Sequence, residues 1–298
     1  MKIGVSGANG GLGKVVLMRL KELPGDHQVV GISRSPQNIQ HADEARFGDY
    51  DAPESLAEAY VGLDRLLIIP TLDLGYGVRG RQLVAAIDAA RIAGVGQVVL
   101  MSEAATREEA EPAHWAACWT GEQHLIRTAK SWTIVRSGYF MESFAGEMLL
   151  CQTVGQLPEL GENRVGFVSR DDVAAAAAGI LVGDGHSGAI YHATGSETFS
   201  VAERASLISS LTGTPIEVAI TSIEVLRQQL QAAGYPAEYI GIALETKQKT
   251  AGGGYDIVTG DVERLSGRRP VSLSDVLSKY LAQAAQEGVE ERKQAKGH

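Results

Sequence analysis

Cysteine is scarce in this sequence. Its 298 residues include only Cys118 and Cys151, which form neither a C-x-x-C pair nor a cluster with histidine. This usage is typical of a reducing compartment and predicts no metal site, although a single disulfide between the two stays open. The H-E-x-x-H and G-x-S-x-G motifs are also missing, so the sequence gives no support to a metalloprotease or a serine hydrolase.

Long apolar runs and an excess of basic charge are missing as well. No apolar stretch approaches the ~20 residues that span a bilayer, and the glycine turn that begins at Gly7 leaves no room for a signal peptide. The formal net charge of -9 argues against a nucleic acid or an anionic membrane as the main partner. We therefore expect a cytoplasmic globular protein that binds a small molecule.

The sequence is organised around its first strand and the glycines that follow it. An apolar run over residues 3–5 predicts a buried strand, and a helical pattern resumes at Gly13. Gly7 permits a tight turn, Gly10 lets the backbone approach a diphosphate, and Gly13 allows close packing of helix and strand. An anion would bind at the helix N-terminus, where N–H groups lack partners. The predicted dinucleotide-binding residues of this turn are Gly7, Ala8, Asn9, Gly10, Gly11 and Leu12.

Strand and helix patterns alternate through the first half of the chain. Apolar runs over residues 28–32, 65–69, 97–101 and 132–136 predict strands, and amphipathic segments separate them. This alternation predicts an α/β fold with a parallel sheet that is covered by helices on both faces. Residues 287–298 are charged and lack periodicity, so they are interpreted as a flexible tail.

The end of the second strand indicates which cofactor the turn would take. A carboxylate there would select NAD, whereas an arginine would accept a 2′-phosphate. The chain has Ser33 and Arg34 and no acid at this point, which favours NADP(H). The alternative is that Arg34 merely faces solvent. Asp49 is a candidate for the adenine contact or an ordinary turn aspartate, and Pro70 and Thr71 would run beside the cofactor.

Six stretches of the sequence carry a family resemblance: residues 3–13 (IGVSGANGGLG), 33–36 (SRSP), 48–50 (GDY), 136–143 (RSGYFMES), 169–174 (SRDDVA) and 195–200 (GSETFS). They resemble the NmrA-like branch of the atypical short-chain dehydrogenases, and within it the type 2 quinone oxidoreductases and triphenylmethane reductases. The resemblance covers nearly the whole chain, and residues 138–143 are more specific than the glycine turn.

The resemblance implies an α/β fold built as a Rossmann-type doubly wound parallel sheet with a smaller C-terminal α/β substrate lobe. The NAD(P)-binding domain would span residues 1–150. The lobe would mainly span 151–286, with some segments returning to the sheet. Gly138 and Tyr139 would join the cofactor site. The implied activity is reduction of a quinone or similar flat conjugated acceptor by NADPH. Some relatives are non-catalytic redox sensors, which is the alternative, and a homodimer is left open.

The acid–base pair of typical short-chain dehydrogenases is not found where we expect it. Those enzymes use Tyr-x-x-x-Lys, whose spacing puts both side chains on one helix face. Our placement puts Trp119 and Gln123 at these positions, and neither titrates near neutral pH. A quinone is a strong hydride acceptor, so positioning and electrostatics can supply much of the rate without an acid.

The remaining candidates are polar and aromatic side chains. Ser102, at the end of a strand, would orient the nicotinamide or the substrate, or would only cap the turn. His114 would protonate a product anion or face solvent. Tyr139 completes the catalytic candidates. The aromatic rings of Trp119, Phe140 and Phe144 would form the walls of a pocket, or would pack in the core.

Overall fold

The computed structural model describes residues 1–73, 75–109 and 114–296, with the backbone alone for residues 114–115 and 287–296. The strands are β1 Lys2–Ser6, β2 Gln28–Ser33, β3 Glu44–Phe47, β4 Arg65–Ile68, β5 Gln97–Glu103, β6 Trp132–Ser137, β7 Tyr139–Phe140, β8 Gln156–Glu159, β9 Arg164–Val168, β10 Ala189–Ala193, β11 Thr198–Ser200 and β12 Glu217–Ile220. The helices are α1 Gly11–Glu22, α2 Pro53–Ala59, α3 Val78–Ile92, α4 His114–Thr128, α5 Met141–Val154, α6 Arg170–Val182, α7 Val201–Thr212, α8 Ile223–Ala232, α9 Ala237–Ala251, α10 Asp261–Ser266 and α11 Leu273–Lys296.

The chain divides into two compact units. The first consists of Met1–Gly138, Arg170–Thr194 and Thr259–Arg269, and the second of Tyr139–Ser169, Gly195–Val258 and Pro270–His298. The first segment of the first unit ends at Gly138, whereas the sequence analysis placed the boundary at residue 150. The reason is that α5 buries Phe144 and Met148 within the second unit, where the Phe144 ring packs on Phe167.

The first unit is built on a parallel sheet. Within the described residues, seven strands pair in the order β10-β6-β5-β4-β1-β2-β3, and each neighbouring pair is parallel. The order reverses on either side of β1, so the strands that follow β1 and β4 lead to opposite edges. In sheets of this kind, ligands bind beyond the carboxyl ends of the strands at the point of reversal. The predicted Rossmann-type doubly wound sheet is confirmed.

Helices cover this sheet on both faces. The strands bury near-continuous runs of valine, leucine and isoleucine because neither face meets solvent. One layer contains α2, α3 and α4, whose apolar side chains pack with Leu66, Leu100 and Ile134. Helix α6 buries its alanine run, and a Cβ at Gly179 would lie 2.0 Å from the Leu265 carbonyl oxygen. Small residues therefore let α6 pack closely against its neighbours.

The second unit contains two small sheets and a helical layer. Strand β9 pairs with β7 in parallel and with β11 antiparallel, and β12 pairs with β8 in parallel. Helices α5 and α9 have no counterpart in the sequence interpretation. Helix α11 continues to Lys296, so the backbone of residues 287–296, which the sequence analysis interpreted as part of a flexible tail, is helical. Glutamate, lysine, arginine, glutamine and alanine predominate there, and all of them favour helix.

None of the helices in the described ranges combines the length and the low polarity that crossing a bilayer requires. Over the same part of the chain, no group of three or more histidine, cysteine, aspartate or glutamate residues is placed to hold a metal ion.

Candidate functional site

The turn between β1 and α1 depends on two of its glycines. Gly7 has a φ of +90°, a conformation that residues with a side chain rarely adopt. The N–H groups of Gly7 and Ala8 both donate to the Ile32 carbonyl oxygen at 3.1 Å. A Cβ at Gly13 would lie 2.2 Å from the Gly7 carbonyl oxygen. The turn is thereby fixed against β2, and it has no room for a side chain at position 13.

The N-terminus of α1 is uncovered. Gly10 is its N-cap residue, so no side chain caps the helix, and no acidic residue lies in its first turn. Gly10 and Gly11 are exposed, and Leu12 is half-buried. Because the first N–H groups of a helix have no partner within it, they can donate to an anion. The arrangement forms a cradle that a side chain at position 10 or 11 would fill.

Asn9 fastens this turn to the loop after β2. Its Nδ2 donates to Ser33 Oγ and to the Ser35 carbonyl oxygen, both at 2.8 Å. A carbonyl oxygen only accepts hydrogen bonds, so the amide nitrogen must point toward Ser35. Asn9 Oδ1 is consequently buried, and it has no hydrogen-bond partner among the described residues. A buried acceptor without a donor is costly, and a ligand hydroxyl or amine would satisfy it.

Arg34 lies in the loop that Asn9 holds. The side chain is exposed, and it makes no hydrogen bond or ion pair with the part of the chain that the structure describes. Asp49 follows β3, and its carboxylate accepts from the Asp51 N–H at 3.1 Å. It is half-buried. Of the two predicted adenosine-side residues, Arg34 is therefore the more accessible to a ligand, whereas Asp49 is already part of a hydrogen-bonded turn.

Thr71 and Pro70 follow β4 at the carboxyl edge of the sheet. Thr71 Oγ1 donates to Gln82 Oε1 at 2.5 Å, and Gln82 Nε2 donates to Asp51 Oδ1 at 2.8 Å. Gln82 is buried on α3. These bonds tie the segment after β4 to α3 and to the turn after β3.

Ser102 takes part in a buried network that the sequence did not indicate. Its hydroxyl donates to Glu122 Oε1 at 2.5 Å. Arg136 holds the same carboxylate through two hydrogen bonds of 2.9 and 2.5 Å. Glu122 is fully buried, and its hydrogen bonds raise the pKa of Arg136, although burial opposes this. The Ser102 proton is therefore engaged, and an ion pair fixes the hydroxyl in place.

Helix α4 carries the residues that we placed at the tyrosine and lysine positions. Trp119 and Gln123 are one turn apart on this helix, and both are half-buried. The buried carboxylate is Glu122, next to Gln123. The backbone of His114 begins the helix, but its side chain lies outside the described residues.

The other predicted aromatic residues belong to the second unit. Tyr139 stacks on Tyr255 with ring centroids 5.7 Å apart and contacts Phe167 at 5.4 Å. Phe144 is fully buried, and Phe140 is half-buried. Burial, followed by the charges of Glu147 and Glu159, raises the pKa of Tyr139 well above its ordinary value. The phenol is therefore protonated across the neutral range.

A set of buried charges lies in the same unit, and we call it the ion cluster: Glu147, Glu159, Arg204 and Lys247. Arg204 donates to Glu159 at 2.9 Å, and Lys247 donates to Glu159 at 2.8 Å and to Glu147. Arg204 also donates to Asn163 Oδ1 at 2.5 Å. Burial opposes the charge on Lys247, but the two carboxylates raise its pKa. Two cations and two anions thus balance each other.

Cys151, one of the two thiols, is buried and free. Burial raises its pKa to about 12, and the nearby Glu147 charge adds to the effect. A thiol this difficult to deprotonate is inert at neutral pH.

The structure thus brings most predicted cofactor residues to one edge of the first unit. The turn after β1, the loop after β2 and the segments after β4 and β5 all begin at carboxyl ends of neighbouring strands. Tyr139, Phe140 and Phe144 form a separate set in the second unit. The open cradle, the unmatched Asn9 Oδ1 and the exposed Arg34 fit a dinucleotide that carries a 2′-phosphate.

Comparison with known proteins gives a family and several relatives. Residues 7–183 match the sequence profile of a family described as NAD(P)H-binding. The uncharacterized oxidoreductase YesF of Bacillus subtilis is 31% identical over 160 residues, which are 53% of this chain and 56% of that protein. Quinone oxidoreductase 2 of Escherichia coli is 24% identical over 282 residues, covering 93% of this chain and 97% of that protein.

Several solved structures are similar to this chain over most of its length. The triphenylmethane reductase of Citrobacter sp., solved as a complex with NADP(H), is 26% identical with a TM-score of 0.82, covering 94% of this chain and all of that one. The negative transcriptional regulator NmrA has a TM-score of 0.72 at 14% identity over 96% of this chain and 98% of that one, which shows a shared fold alone. The resemblance drawn from the sequence motifs is confirmed by these neighbours.

Proposed function

The chain belongs to the NAD(P)H-binding family, and from this premise we propose that it is an NADPH-dependent reductase of quinones or similar flat conjugated acceptors. Arg34 carries the cofactor half of the proposal, because an exposed guanidinium follows β2 where an NAD-selective site would hold a carboxylate. Two relatives named for quinone and triphenylmethane reduction, each similar over more than nine tenths of this chain, support the acceptor half.

Residues of the first unit would hold the cofactor. The open N-terminus of α1 would bind the diphosphate, Arg34 the 2′-phosphate, and Asn9 Oδ1 would accept from a hydroxyl of the adenosine ribose. Pro70, Thr71 and Gly138 would lie along the remainder. When bound, NADPH supplies a hydride. Residues at the carboxyl edge of the sheet would orient the nicotinamide.

None of the described side chains has to act as an acid for this reaction. The Ser102 hydroxyl is buried and donates to Glu122, so we assign it to positioning and not to proton transfer. Tyr139 remains protonated because burial raises its pKa. The uncharged ring would therefore serve as a wall against which the flat acceptor packs, and not as a source of a proton.

A quinone panel tests the proposal. We expect the purified chain to oxidise NADPH with at least one benzoquinone or naphthoquinone, and to prefer NADPH to NADH. Gln123→Ala should change kcat by less than about tenfold, compared with the ~10²–10⁴ that a true acid–base group supplies. Tyr139→Ala should mainly raise KM, because the ring would contact substrate and transition state alike.

Two outcomes would oppose the proposal. A steep loss of kcat in Gln123→Ala would mean that α4 does supply an acid–base group. Tight NADPH binding without turnover of any quinone would replace the reductase with a non-catalytic NADP(H) sensor. No observation on the described residues favours that sensor, since the likeness to the transcriptional regulator concerns the fold alone.

A further inference from the structure

An arginine outside the glycine turn lies beside the N-terminus of α1. Arg170 is the first residue of α6. A Cβ placed on Gly11 would lie 3.8 Å from Arg170 Nε and 3.9 Å from its Cδ. The Arg170 side chain therefore lies beside the first residue of α1, although the two are 159 positions apart in the sequence. Its position places a cation next to the cradle described above.

Helix α6 is fastened to α1 by the residue that follows Arg170. Arg19 of α1 donates to the Asp171 carboxylate through Nε at 2.7 Å and Nη2 at 2.6 Å. Arg268 donates to the same carboxylate at 2.8 Å. Burial opposes ionisation, but the two arginines lower the pKa of Asp171. A bidentate ion pair thus fixes the first turn of α6, from which Arg170 extends.

The surroundings favour an anion at this point. Gly10 and Gly11 present no side chain, and the first turn of α1 contains no acidic residue. A guanidinium and the N–H groups of a helix N-terminus can bind neighbouring oxygens of one diphosphate. We infer that Arg170 binds the diphosphate of NAD(P)H, as a second cation whose target differs from the 2′-phosphate assigned to Arg34. The inference rests on cofactor binding by the proposed reductase but not on its acceptor.

Calorimetric titration of the full chain with NADPH and with NADH tests this assignment. Arg170→Ala should weaken both cofactors by the same factor, roughly ten- to a hundredfold, because both contain the diphosphate. Arg34→Ala should weaken NADPH alone. Arg269→Ala removes the same charge from an exposed site in the same unit, where Arg269 faces Glu263 at 3.6 Å, and should leave both affinities unchanged.

A comparison of Arg170→Lys with Arg170→Gln separates charge from packing. Lysine and glutamine can both pack beside Gly11, but only lysine is charged. If Arg170 contacts the diphosphate, the lysine variant should therefore bind NADH more tightly than the glutamine variant. Unchanged NADH affinity in Arg170→Ala would overturn the inference, as would loss of NADPH binding alone or equal affinities in the lysine and glutamine variants. Failure of quinone turnover with this binding pattern intact would instead overturn only the proposed reductase.

Discussion

Polar groups are paired differently in two regions of the molecule, the glycine turn of the first unit and the ion cluster of the second unit. In the ion cluster, Arg204, Glu159 and Lys247 are buried, and each charge has a partner within 2.9 Å. At the glycine turn, Asn9 Oδ1 is buried without a partner among the described residues, and Arg34 in the adjoining loop after β2 is exposed. Matched charges serve the fold, whereas groups left unmatched at an open edge are available to a ligand.

Burial changes the free-energy cost of losing a partner. Removing one member of a buried ion pair leaves an uncompensated charge and costs several kcal/mol. Removing a group that projects into solvent costs the fold little. Substitutions in the ion cluster should therefore reduce stability, and substitutions of the exposed residues Gly10 and Arg34 should reduce cofactor binding with stability retained.

The largest effect is expected for Glu159→Gln in the ion cluster. The charges of Arg204 and Lys247 would then be balanced by one carboxylate, that of Glu147. We expect the free energy of unfolding to fall by about 3–5 kcal/mol, measured by urea denaturation with circular dichroism. Glu263→Gln is the matched control, since the same change affects an exposed pair with Arg269 and should cost at most about 1 kcal/mol.

Equal stability losses in these two variants would contradict the comparison. The ion cluster would then be no more dependent on its partners than a pair on the surface.

The next-largest effects are expected at the glycine turn, where a change at Gly10 should affect cofactor binding and a change at Gly13 should affect stability. Gly10 has a φ of −70°, which valine can adopt, and its side chain would project into the cradle. We expect Gly10→Val to weaken NADPH binding by at least about a hundredfold, because it would occupy the place of the diphosphate. Its Cβ would lie 3.2 Å from the Gly7 carbonyl oxygen, so the melting temperature should fall less than in Gly13→Ala. Gly13→Ala should instead lower the melting temperature, since its Cβ would clash with the Gly7 carbonyl oxygen.

Calorimetry and thermal unfolding of both variants provide the check. Normal NADPH binding by Gly10→Val would make the turn purely structural and would remove the basis of the cofactor site.

The sheet of the first unit could be predicted because its strands are buried on both faces. Residues 28–32, 65–69, 97–101 and 132–136 are apolar runs, and each corresponds to an observed strand. Strand β3 could not be found in this way. It lies at the edge of the sheet, and its four residues are alternately half-buried and exposed, so charged residues interrupt the apolar pattern.

The site could be predicted only where local sequence determines it. The glycine spacing and Arg34 are local, and the structure shows an open helix N-terminus and an exposed arginine at these positions. Arg170 and the Glu122–Arg136 pair depend on contacts between residues far apart in sequence. Residues 169–174 contributed to the family resemblance, but the motif alone gave no indication that its arginine lies beside Gly11.

The smallest effect is expected for Asn9, which joins the glycine turn to the loop that contains Arg34. Asn9→Ala removes both hydrogen bonds to the loop that contains Arg34, each worth about 0.5–1.5 kcal/mol. Since Arg34 itself is retained, part of its contribution should persist. We expect NADPH affinity to fall roughly three- to tenfold, with a smaller change for NADH, as measured by calorimetric titration.

Asn38→Ala is the matched control for this variant. Asn38 lies in the short 3₁₀ turn that follows the same loop and is exposed, so both affinities should stay at the native values. The selectivity of Asn9→Ala then distinguishes two roles for the side chain. A larger loss for NADPH means that Asn9 positions Arg34, because only NADPH carries the 2′-phosphate. Equal losses for the two cofactors would limit Asn9 to a contact with the shared ribose, and Arg34 would then keep its position without it.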